Sequence, residues 1–520
     1  MSCVCQECHP EPPAGPAPLS RRAWLTGGAG FAGLLPAARA AAAASSAQPA
    51  RAATVPDPPR APFVVEAGWA LSADAADRVT LMRDASIVVE QGAIAEVRQG
   101  RMAGRQTRID ARRLLVVPGF ISGHTHVCAG TPTRGIIEGG RSYARPLEVV
   151  EGLDDGDLDA LTALNLAELL RSGCTTTLDM SLSLRQAESY VRVATRWGVR
   201  GYPAPMIPGI PRLFPIWQRR DDATLTASVP GTLDEIAAAR RFAVANARAN
   251  DGLIRAQIAP HATDTHTPET MRAMIDAARA VGNGLHIHLA QGARETETVT
   301  RLWGLSPVRW LESLGAYDLP VFGAHMSGVD WAADGPVLKT HGVVFAHCPS
   351  AGGAGGESMP YPEALGAGVA VNIGIDTHSN DYVENLKLAV LYGQAREALL
   401  RRVSPVPLER PSIWTAVAGA TLVPAVGLRR PDLGRIRAGA RADLTMIDVS
   451  GLLVGTGALP PEPLHHLLYA NGTAVRHVMT DGRLQVSDGR LVADEAAVLD
   501  AGGRAVQKVW LQLEREGWFR

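Results

Sequence analysis

The chain has 520 residues, and its 51 Lys and Arg residues nearly balance its 52 Asp and Glu residues, giving a formal net charge of -1. This balance, without a long run of like charges, excludes the basic footprint that a nucleic-acid partner requires. The length is that of a large domain with a second, smaller one. Hydrophobic residues make up 46% of the chain but aromatic residues only 5%, so we expect a core built from Ala, Val and Leu.

The first 40 residues have the three parts of a twin-arginine export signal. The arginine pair lies in Ser20-Arg21-Arg22-Ala23-Trp24-Leu25, a stretch rich in Gly, Ala and Leu continues to Ala38, and Ala38-Arg39-Ala40 matches a small-x-small cleavage site. This order predicts a periplasmic or secreted protein that is cleaved near Ala40. The apolar stretch is too short for a stable membrane anchor. Residues 41–62 are rich in Ala, Ser and Pro and are expected to form a linker.

Six cysteines divide into two groups of three. Cys3, Cys5 and Cys8 lie in the export signal, and we assign them no role. Cys128, Cys174 and Cys348 remain after cleavage. An odd number of cysteines does not indicate a disulfide framework.

Both ends of the mature chain have the pattern of short strands and turns. Residues 63–118 contain two apolar runs joined at Gln91-Gly92, and residues 428–495 contain similar hairpin patterns. We expect these two segments to form one small β-sandwich domain together. Residues 496–520 are predicted to form a C-terminal helix.

Residues 119–427 alternate between strand and helix patterns. The run into His124 is followed by seven further predicted strands: Thr175–Asp179, Gly198–Met206, Leu253–Pro260, Gly284–Leu289, Val321–Ala324, Val343–His347 and Ala370–Ile375. Eight parallel strands with helical crossovers close into a (β/α)8 barrel of the TIM type. The predicted fold class is therefore α/β, with this barrel joined to the β-sandwich domain.

Histidines and one aspartate recur at the ends of these apolar runs. His124 and His126 are two positions apart, so at a strand end both imidazoles point to one side. Two neutral imidazoles that converge are suitable ligands for a divalent metal ion. Further candidates of this kind end later strands, at His261, His288, His325 and Asp376. Scattered ligands at successive strand ends are typical of a barrel active site.

Several of these segments resemble motifs of the amidohydrolase superfamily, in its mononuclear branch of cytosine deaminase, S-adenosylhomocysteine deaminase and the triazine hydrolases. The resemblance covers roughly residues 63–495, and its six barrel motifs occur in the family's order. These motifs are Val117-Pro-Gly-Phe-Ile-Ser-Gly-His-Thr-His126, Ile258-Ala-Pro-His261, His286-Ile-His288-Leu-Ala-Gln291, Gly323-Ala-His325, His347-Cys-Pro349 and Gly374-Ile-Asp376-Thr-His-Ser-Asn380.

The resemblance implies a role for each matching residue. One Zn2+ ion, or alternatively Fe2+, would be held by four ligands, His124, His126, His288 and Asp376. Asp376 would also accept a proton from the attacking water, and His325 would polarise that water or the developing oxyanion. His261 would contact the substrate, and His378 is a further candidate for this role at the barrel mouth. No lysine lies between Leu253 and Thr265, which argues against the binuclear branch of the superfamily.

The chain departs from the family pattern at Gln291. Deaminases of this branch have a glutamate there, which carries a proton from the water to the substrate, whereas an amide cannot transfer a proton at neutral pH. A second departure follows His347-Cys-Pro, where Ser350-Ala351-Gly352 replaces the usual Ser-Asn. We therefore predict that Gln291, His325 and Asp376 are the catalytic residues of an enzyme other than a standard deaminase.

The sequence thus predicts a metal-dependent hydrolase that cleaves a non-peptide carbon–nitrogen bond in a small, cyclic substrate. One alternative is an aminohydrolase that deaminates a purine, a pyrimidine or a triazine through a substitute proton carrier. A second alternative is a binding protein that retains the metal without turnover. The expected partner is a small molecule, and a homo-oligomer is an open alternative.

Overall fold

The computed structural model describes residues 55–57, 61–104, 107–136, 139, 141, 144–210, 222–356 and 359–519. The predicted export signal lies outside the described residues, as does the predicted linker apart from residues 55–57, 61 and 62. None of the helices that the structure describes is both long and apolar enough to cross a membrane.

Strands from both ends of the chain form one eight-stranded sheet, in the order β16-β15-β14-β13-β4-β1-β2-β3. Its members are Phe63–Ala73 (β1), Val79–Glu90 (β2), Ala93–Gln99 (β3), Thr107–Pro118 (β4), Leu444–Ile447 (β13), Val475–Thr480 (β14), Arg483–Ser487 (β15) and Arg490–Leu491 (β16). The strand β4 joins the two ends, because it pairs in parallel with β1 and antiparallel with β13. The two ends therefore associate as expected, while their arrangement as a sandwich stays a prediction.

The predicted turn at Gln91-Gly92 joins the antiparallel strands β2 and β3. Both turn residues have positive φ angles, 49° for Gln91 and 76° for Gly92. Such a turn matches the twist of the strands that it connects, and glycine adopts the second position without strain.

Eight further strands lie between the two halves of this sheet in sequence, and they form two four-stranded parallel sheets. One sheet contains Phe120–Thr125 (β5), Cys174–Ser181 (β6), Arg200–Ile207 (β7) and Ala259–Pro260 (β8). The other contains Leu285–Leu289 (β9), Val321–His325 (β10), Val344–His347 (β11) and Ala370–Ile373 (β12). Single parallel bridges connect the two sheets at both junctions: Ile258 with Leu285 and Ala262 with His288 at one, and Thr125 with Asp376 at the other.

Helices alternate with these central strands. In chain order they are Gly130–Thr133 (α1), Ala144–Glu151 (α2), Asp155–Arg171 (α3), Leu184–Trp197 (α4), Asp222–Ala245 (α5), Pro268–Val281 (α6), Ala293–Trp303 (α7), Pro307–Ser313 (α8), Gly335–His341 (α9), Pro349–Ala354 (α10), Tyr361–Gly366 (α11), Tyr382–Leu400 (α12), Ile413–Ala420 (α13), Leu422–Gly427 (α14) and Glu495–Arg515 (α15). The predicted mixed α/β class is confirmed. The last helix, Glu495–Arg515, overlaps the segment 496–520 that was predicted to be helical.

Helix ends follow the local sequence. The helix α6 begins after Thr267, which forms a capping box with Thr270, and it ends at Gly282, whose φ angle is 80°. Capping satisfies backbone N–H groups that the first turn leaves without partners, and a glycine with positive φ ends a helix without steric strain. These capping signals determine where each helix begins and ends. They therefore also determine where the loops lie that carry polar side chains at the strand ends.

Asn372 fastens the two central sheets to each other. Its amide nitrogen donates to the carbonyl groups of Ile121 and Gly419, at 2.8 and 2.7 Å, and its side-chain oxygen accepts from the backbone N–H of Gly123 at 2.6 Å. A Cβ atom at Gly123 would lie only 2.1 Å from that oxygen. Residue 123 must therefore be glycine for β5 to lie this close to β12, directly before His124.

Candidate active site

The strand β5 carries His124, and His126 follows directly after its end. The carbonyl group of His124 accepts hydrogen bonds from the backbone N–H groups of Ile375 and Asp376, at 2.9 and 3.0 Å. Asp376 lies just past β12 and forms a parallel bridge with Thr125. The backbone therefore holds the aspartate against the strand end that bears the histidine pair.

Four histidines and Asp376 converge at this place. Two groups of side chains each have their ligand atoms within 4.8 Å of one another: His124, His126 and His288, and His124, His325 and Asp376. The Asp376 Oδ1 atom lies 3.8 Å from His124 Nε2 and 3.5 Å from His126 Nε2. Its Oδ2 atom lies 3.9 Å from His325 Nε2. All five side chains are buried.

Polar atoms at the centre of this cluster have no hydrogen-bond partner among the described residues. They are the Nε2 atom of His124, both ring nitrogens of His325 and both carboxylate oxygens of Asp376. Buried polar groups are normally satisfied, so a convergent set of this kind needs an explanation. A divalent metal ion is a suitable one, because imidazole nitrogen and carboxylate oxygen are the ligands that zinc accepts in catalytic sites.

The backbone orients two of the imidazoles. His126 Nδ1 lies 2.6 Å from the carbonyl oxygen of Met180, and His288 Nδ1 lies 2.7 Å from that of His261. A carbonyl group only accepts hydrogen bonds, so each Nδ1 atom carries a proton and donates it. The Nε2 atoms are then free of hydrogen in the neutral rings and present a lone pair to the cluster, as metal-binding histidines require.

The ring of His286 orients the imidazole of His124. Its Nε2 atom lies 2.8 Å from His124 Nδ1, and the two rings meet edge to face with centroids 4.9 Å apart. If Nδ1 of His124 donates, Nε2 of His286 accepts, and the lone pair of His124 Nε2 points into the cluster. We did not assign a role to His286 from the sequence. The signal was present, because His286 and His288 have the same spacing as His124 and His126.

Three imidazoles of this cluster, those of His124, His288 and His325, are held in their neutral form. Burial, and then the neighbouring imidazoles, lower the pKa of His124 and His325 well below the usual 6.5. The same causes lower the pKa of His288 to about 3. A neutral ring is the form that binds a metal ion, so this electrostatic environment favours ligation over protonation.

The backbone is strained where the side chains converge. The φ angle is 78° at His325 and 62° at Asp376, and it is 51° at Met326. Residues other than glycine seldom adopt positive φ, and such strain is concentrated at functional sites, where the surrounding structure enforces it. Here it turns the side chains of two strand-end residues into the cluster.

The remaining predicted site residues lie around this cluster. The ring of His261, which follows β8, has its centroid 5.1 Å from that of His288. His378 is buried and lines a cavity of about 400 Å³ together with Arg134, Asn380 and others. Gln291 follows β9 and is half-buried, and its backbone N–H donates to Glu295 at 2.7 Å. The roles of these residues stay predictions.

A buried carboxyl group that the sequence analysis did not single out supports the loop of His126. Asp179 ends the β6 motif Thr-Thr-Thr-Leu-Asp, and its Oδ1 atom accepts from the backbone N–H of Val127 at 2.7 Å. Burial raises its pKa to about 6. Its position at a strand end beside the histidine pair was the available signal.

Comparison with known proteins defines the family. Residues 115–485 match the model of the amidohydrolase family. The chain therefore belongs to the amidohydrolase family, and the prediction of an enzyme that hydrolyses carbon–nitrogen bonds is confirmed. This span includes every predicted ligand and catalytic residue.

Several curated relatives are deaminases. The chain is 28% identical to a 5-methylthioadenosine/S-adenosylhomocysteine deaminase of Pelotomaculum thermopropionicum over 440 residues, which is 81% of this chain and 92% of the relative. It is 30% identical to the protein of the same description from Natronomonas pharaonis, covering 79% and 89% of the two chains. It is 27% identical to a 5'-deoxyadenosine deaminase of Methanosarcina mazei, covering 82% and 94%.

Solved structures share the fold. An atrazine chlorohydrolase from Arthrobacter aurescens, complexed with zinc, matches with a TM-score of 0.72 and 21% identity over 85% of this chain and all of that one. An adenosine deaminase from Xanthomonas campestris with bound zinc matches with a TM-score of 0.70 and 21% identity, covering 86% and 98% of the two chains.

Proposed function

We propose that this protein is a metal-dependent amidohydrolase that hydrolyses a non-peptide carbon–nitrogen bond of a small, cyclic substrate. The observation that carries the proposal is the convergence of buried histidine nitrogens and both Asp376 oxygens, all without hydrogen-bond partners in the described chain. One zinc ion, or alternatively iron, would be held by His124, His126, His288 and Asp376. The zinc-bound structures of the same fold support this choice of metal.

A divalent ion held by these four residues would lower the pKa of water to about 7 and so would make hydroxide available at neutral pH. The chain supplies the rest of the chemistry. The carbonyl groups of Met180 and His261 fix the imidazoles of His126 and His288, and Asp376 and His325 face each other across the centre of the cluster. Asp376 accepts the proton of the attacking water, and His325 donates a hydrogen bond to the oxyanion that forms on the substrate.

Gln291 determines which carbon–nitrogen bonds are accessible. Deamination of an aromatic ring needs a group that protonates the ring nitrogen, and an amide cannot do so. Opening of a cyclic amide needs only a polarised carbonyl group and a proton for the departing nitrogen, which Asp376 supplies. Gln291 binds the substrate by hydrogen bonding, and His261 and His378 make further contacts.

A deaminase of purine nucleosides, pyrimidines or triazines is the second candidate. The observation that favours it is the set of deaminases among the relatives, whose chains are covered almost completely. It requires another proton carrier in place of Gln291. A binding protein that holds the metal without turnover is the third candidate, and the presence of both Asp376 and His325 argues against it.

We further propose that the two central four-stranded sheets form a closed (β/α)8 barrel. The eight-stranded sheet built from both chain ends, called the outer sheet below, would then be a separate small domain. The bridges at both junctions between the sheets support closure. The twin-arginine pattern leads us to propose that the protein is exported to the periplasm or secreted.

A substrate panel tests the proposed function. The zinc-loaded protein is incubated with cyclic amides, acyl amides, adenosine-type nucleosides, aminopyrimidines and aminotriazines, and products are followed by mass spectrometry and by ammonia release. We expect addition of water to a cyclic amide without ammonia, and no turnover by the Asp376→Asn variant. Ammonia release would favour the deaminase instead. Binding without turnover of any compound would contradict both enzymatic candidates.

A further inference from the structure

Glu295 is a buried carboxyl group in the first turn of α7, and its two oxygens bind two different loops. The Oε2 atom accepts from the backbone N–H of Gln291 at 2.7 Å. The Oε1 atom accepts from the backbone N–H of Thr263 at 3.2 Å and from the hydroxyl group of Thr263. One carboxylate thus joins the loop that follows β8 to the loop that follows β9.

These two loops carry residues that the proposed function places against the substrate. His261 lies two positions before Thr263, and Gln291 is itself one of the residues that Glu295 binds. On its other side His261 is held by β9, because its carbonyl group accepts from the backbone N–H and the Nδ1 atom of His288, at 3.1 and 2.7 Å. The segment of His261 is therefore fixed at both ends, once by a metal-ligand candidate and once by Glu295.

The position of Glu295 is electrostatically unfavourable. Glu295 is 4% exposed and the neighbouring Asp264 is fully buried. Burial, and then the charge of Asp264, raise the pKa of Glu295. Burying this carboxylate destabilises the fold, yet the carboxylate accepts three hydrogen bonds from two loops. Such a residue serves the function of the site rather than the packing of the core.

We propose that Glu295 is a positioning residue of the substrate site, a carboxylate clamp that sets the spacing between His261 and Gln291. This inference rests on the proposed function, in which both residues contact the substrate. Glu295 acts through Thr263 and Gln291 and does not itself touch the reacting atoms. Three of the four predicted metal ligands, His124, His126 and Asp376, lie on other strands. The fourth, His288, lies on β9 and is oriented by the carbonyl group of His261 rather than by Glu295, so we expect the clamp to affect substrate binding without affecting metal retention.

Neither conservative substitution can reproduce the clamp. In Glu295→Gln the amide has one accepting oxygen and one donating nitrogen, whereas both loops present backbone N–H donors, so one connection becomes a contact between two donors. In Glu295→Asp the side chain is shorter by one methylene group and cannot reach both loops. Thr263→Val keeps the shape of the side chain and removes one of the three hydrogen bonds.

The test combines hydrogen exchange with steady-state kinetics on the full-length, metal-loaded protein. Exchange is measured by mass spectrometry with fragmentation that resolves the amides of residues 263 and 291, in wild type, Glu295→Gln and Thr263→Val. Glu297→Gln is the matched control, because Glu297 is an exposed glutamate of the same helix. For Glu295→Gln we expect exchange at both amides to be roughly tenfold faster and KM to be roughly tenfold higher, with kcat changed less than about twofold. Metal content should be unchanged.

Thr263→Val should shift exchange and KM in the same direction by a smaller factor, and Glu297→Gln should shift neither. Unchanged exchange in Glu295→Gln would overturn the clamp, and so would a lower kcat at constant KM, which would instead make Glu295 part of proton transfer. If the wild-type protein turns over none of the panel compounds, the proposed function fails, while the exchange rates still decide whether Glu295 joins the two loops.

Discussion

At the scale of single residues, the site depends on which ring nitrogen of each histidine carries its proton. The Nδ1 atoms of three rings are engaged in hydrogen bonds. That of His126 bonds to the carbonyl group of Met180 and that of His288 to the carbonyl group of His261. That of His124 bonds to the ring of His286. This leaves three Nε2 lone pairs directed at one point beside Asp376. Fixing the tautomer in advance removes an orientational cost from metal binding, and loss of such supporting contacts typically lowers metal affinity by about 10–100-fold.

Gln291→Glu tests the role of the amide in determining the reaction. A carboxylic acid at this position provides the proton carrier that the deaminases of the resembled branch possess. We expect ammonia release from at least one amino-heterocycle in the panel to appear or rise by about 10²–10⁴-fold. The measurement is a coupled ammonia assay with wild type and Glu297→Gln as references. No gain on any compound would mean that the missing glutamate is not what prevents deamination.

Residue types and order along the chain were sufficient to predict that His124, His126, His288, His325 and Asp376 converge, because strand ends of a parallel barrel meet at one edge. Residues whose side chains support the site by bonding to backbone N–H groups could not be predicted from residue type and order. Glu295 is recognisable only from the hydrogen bonds that it accepts, and nothing in the local sequence separates it from a solvated carboxylate. Asp179 had one sequence signal, its position at the end of a predicted strand, and its hydrogen bond to Val127 appears only in the structure.

At the scale of elements, β4 and β5 form a continuous run in sequence but belong to different sheets. β4 pairs with β1 and β13, and after Gly119 the strand β5 pairs with β6. This transition places the histidine pair at the far end of the central sheet. The Pro118-Gly119 pair was the visible signal for the change of partner, because proline has no N–H to continue a ladder.

The fourth central strand is the element for which the sequence was least accurate. The predicted strand Leu253–Pro260 is wrong in length, since the structure has only Ala259–Pro260 as β8, with isolated bridges at Ile254 and Ile258. Its first part follows a turn in which Asn250 and Asp251 have positive φ angles. An apolar run indicates that a segment is buried, but it does not indicate whether the backbone of that segment pairs with a neighbouring strand.

A buried ion pair connects the central strands to the outer sheet. Arg200 on β7 binds Asp443 through two hydrogen bonds of 2.7 and 3.1 Å, and both residues are at most 5% exposed. In Arg200→Met the carboxylate stays buried without its counter-charge, so we expect the free energy of unfolding to fall by about 3–5 kcal/mol. Urea denaturation measures this change.

The matched control is Arg192→Met, which removes the half-exposed pair of Arg192 with Asp159 on α4 and α3. Its expected loss is below about 1 kcal/mol. Equal losses in the two variants would contradict the view that the buried pair holds the outer sheet to the central strands.

At the scale of the whole molecule, buried neutral imidazoles make the stability of the metal-free protein depend on pH. The pKa values of six fully buried histidines are lowered, chiefly by burial: His124, His266, His286, His288, His325 and His347. Below about pH 6.5 the unfolded chain binds protons at these positions and the folded chain does not, so stability falls as pH falls. The raised pKa values of five carboxyl groups act in the opposite direction, but these groups are fewer than the six histidines: Asp179, Glu235, Glu295, Asp334 and Asp381.

We therefore expect the urea midpoint of the metal-free protein to decrease steadily from about pH 7 to about pH 5. His347 provides the control, because it stacks on Tyr361 and is not a predicted ligand, and burial lowers its pKa to about 3. In His347→Phe the slope should be shallower by up to about 1.4 kcal/mol per pH unit. An unchanged midpoint across this range would show that the imidazoles are not held neutral.

The metal content of the purified protein is the most direct test of the central claim. Elemental analysis of the full-length chain is compared with that of the His124→Ala/His126→Ala variant, whose fold is checked by circular dichroism. The account predicts about one zinc or iron per chain in the wild type and almost none in the folded variant. Two metal ions per chain, or no metal in a folded wild-type protein that has been supplied with zinc, would contradict it.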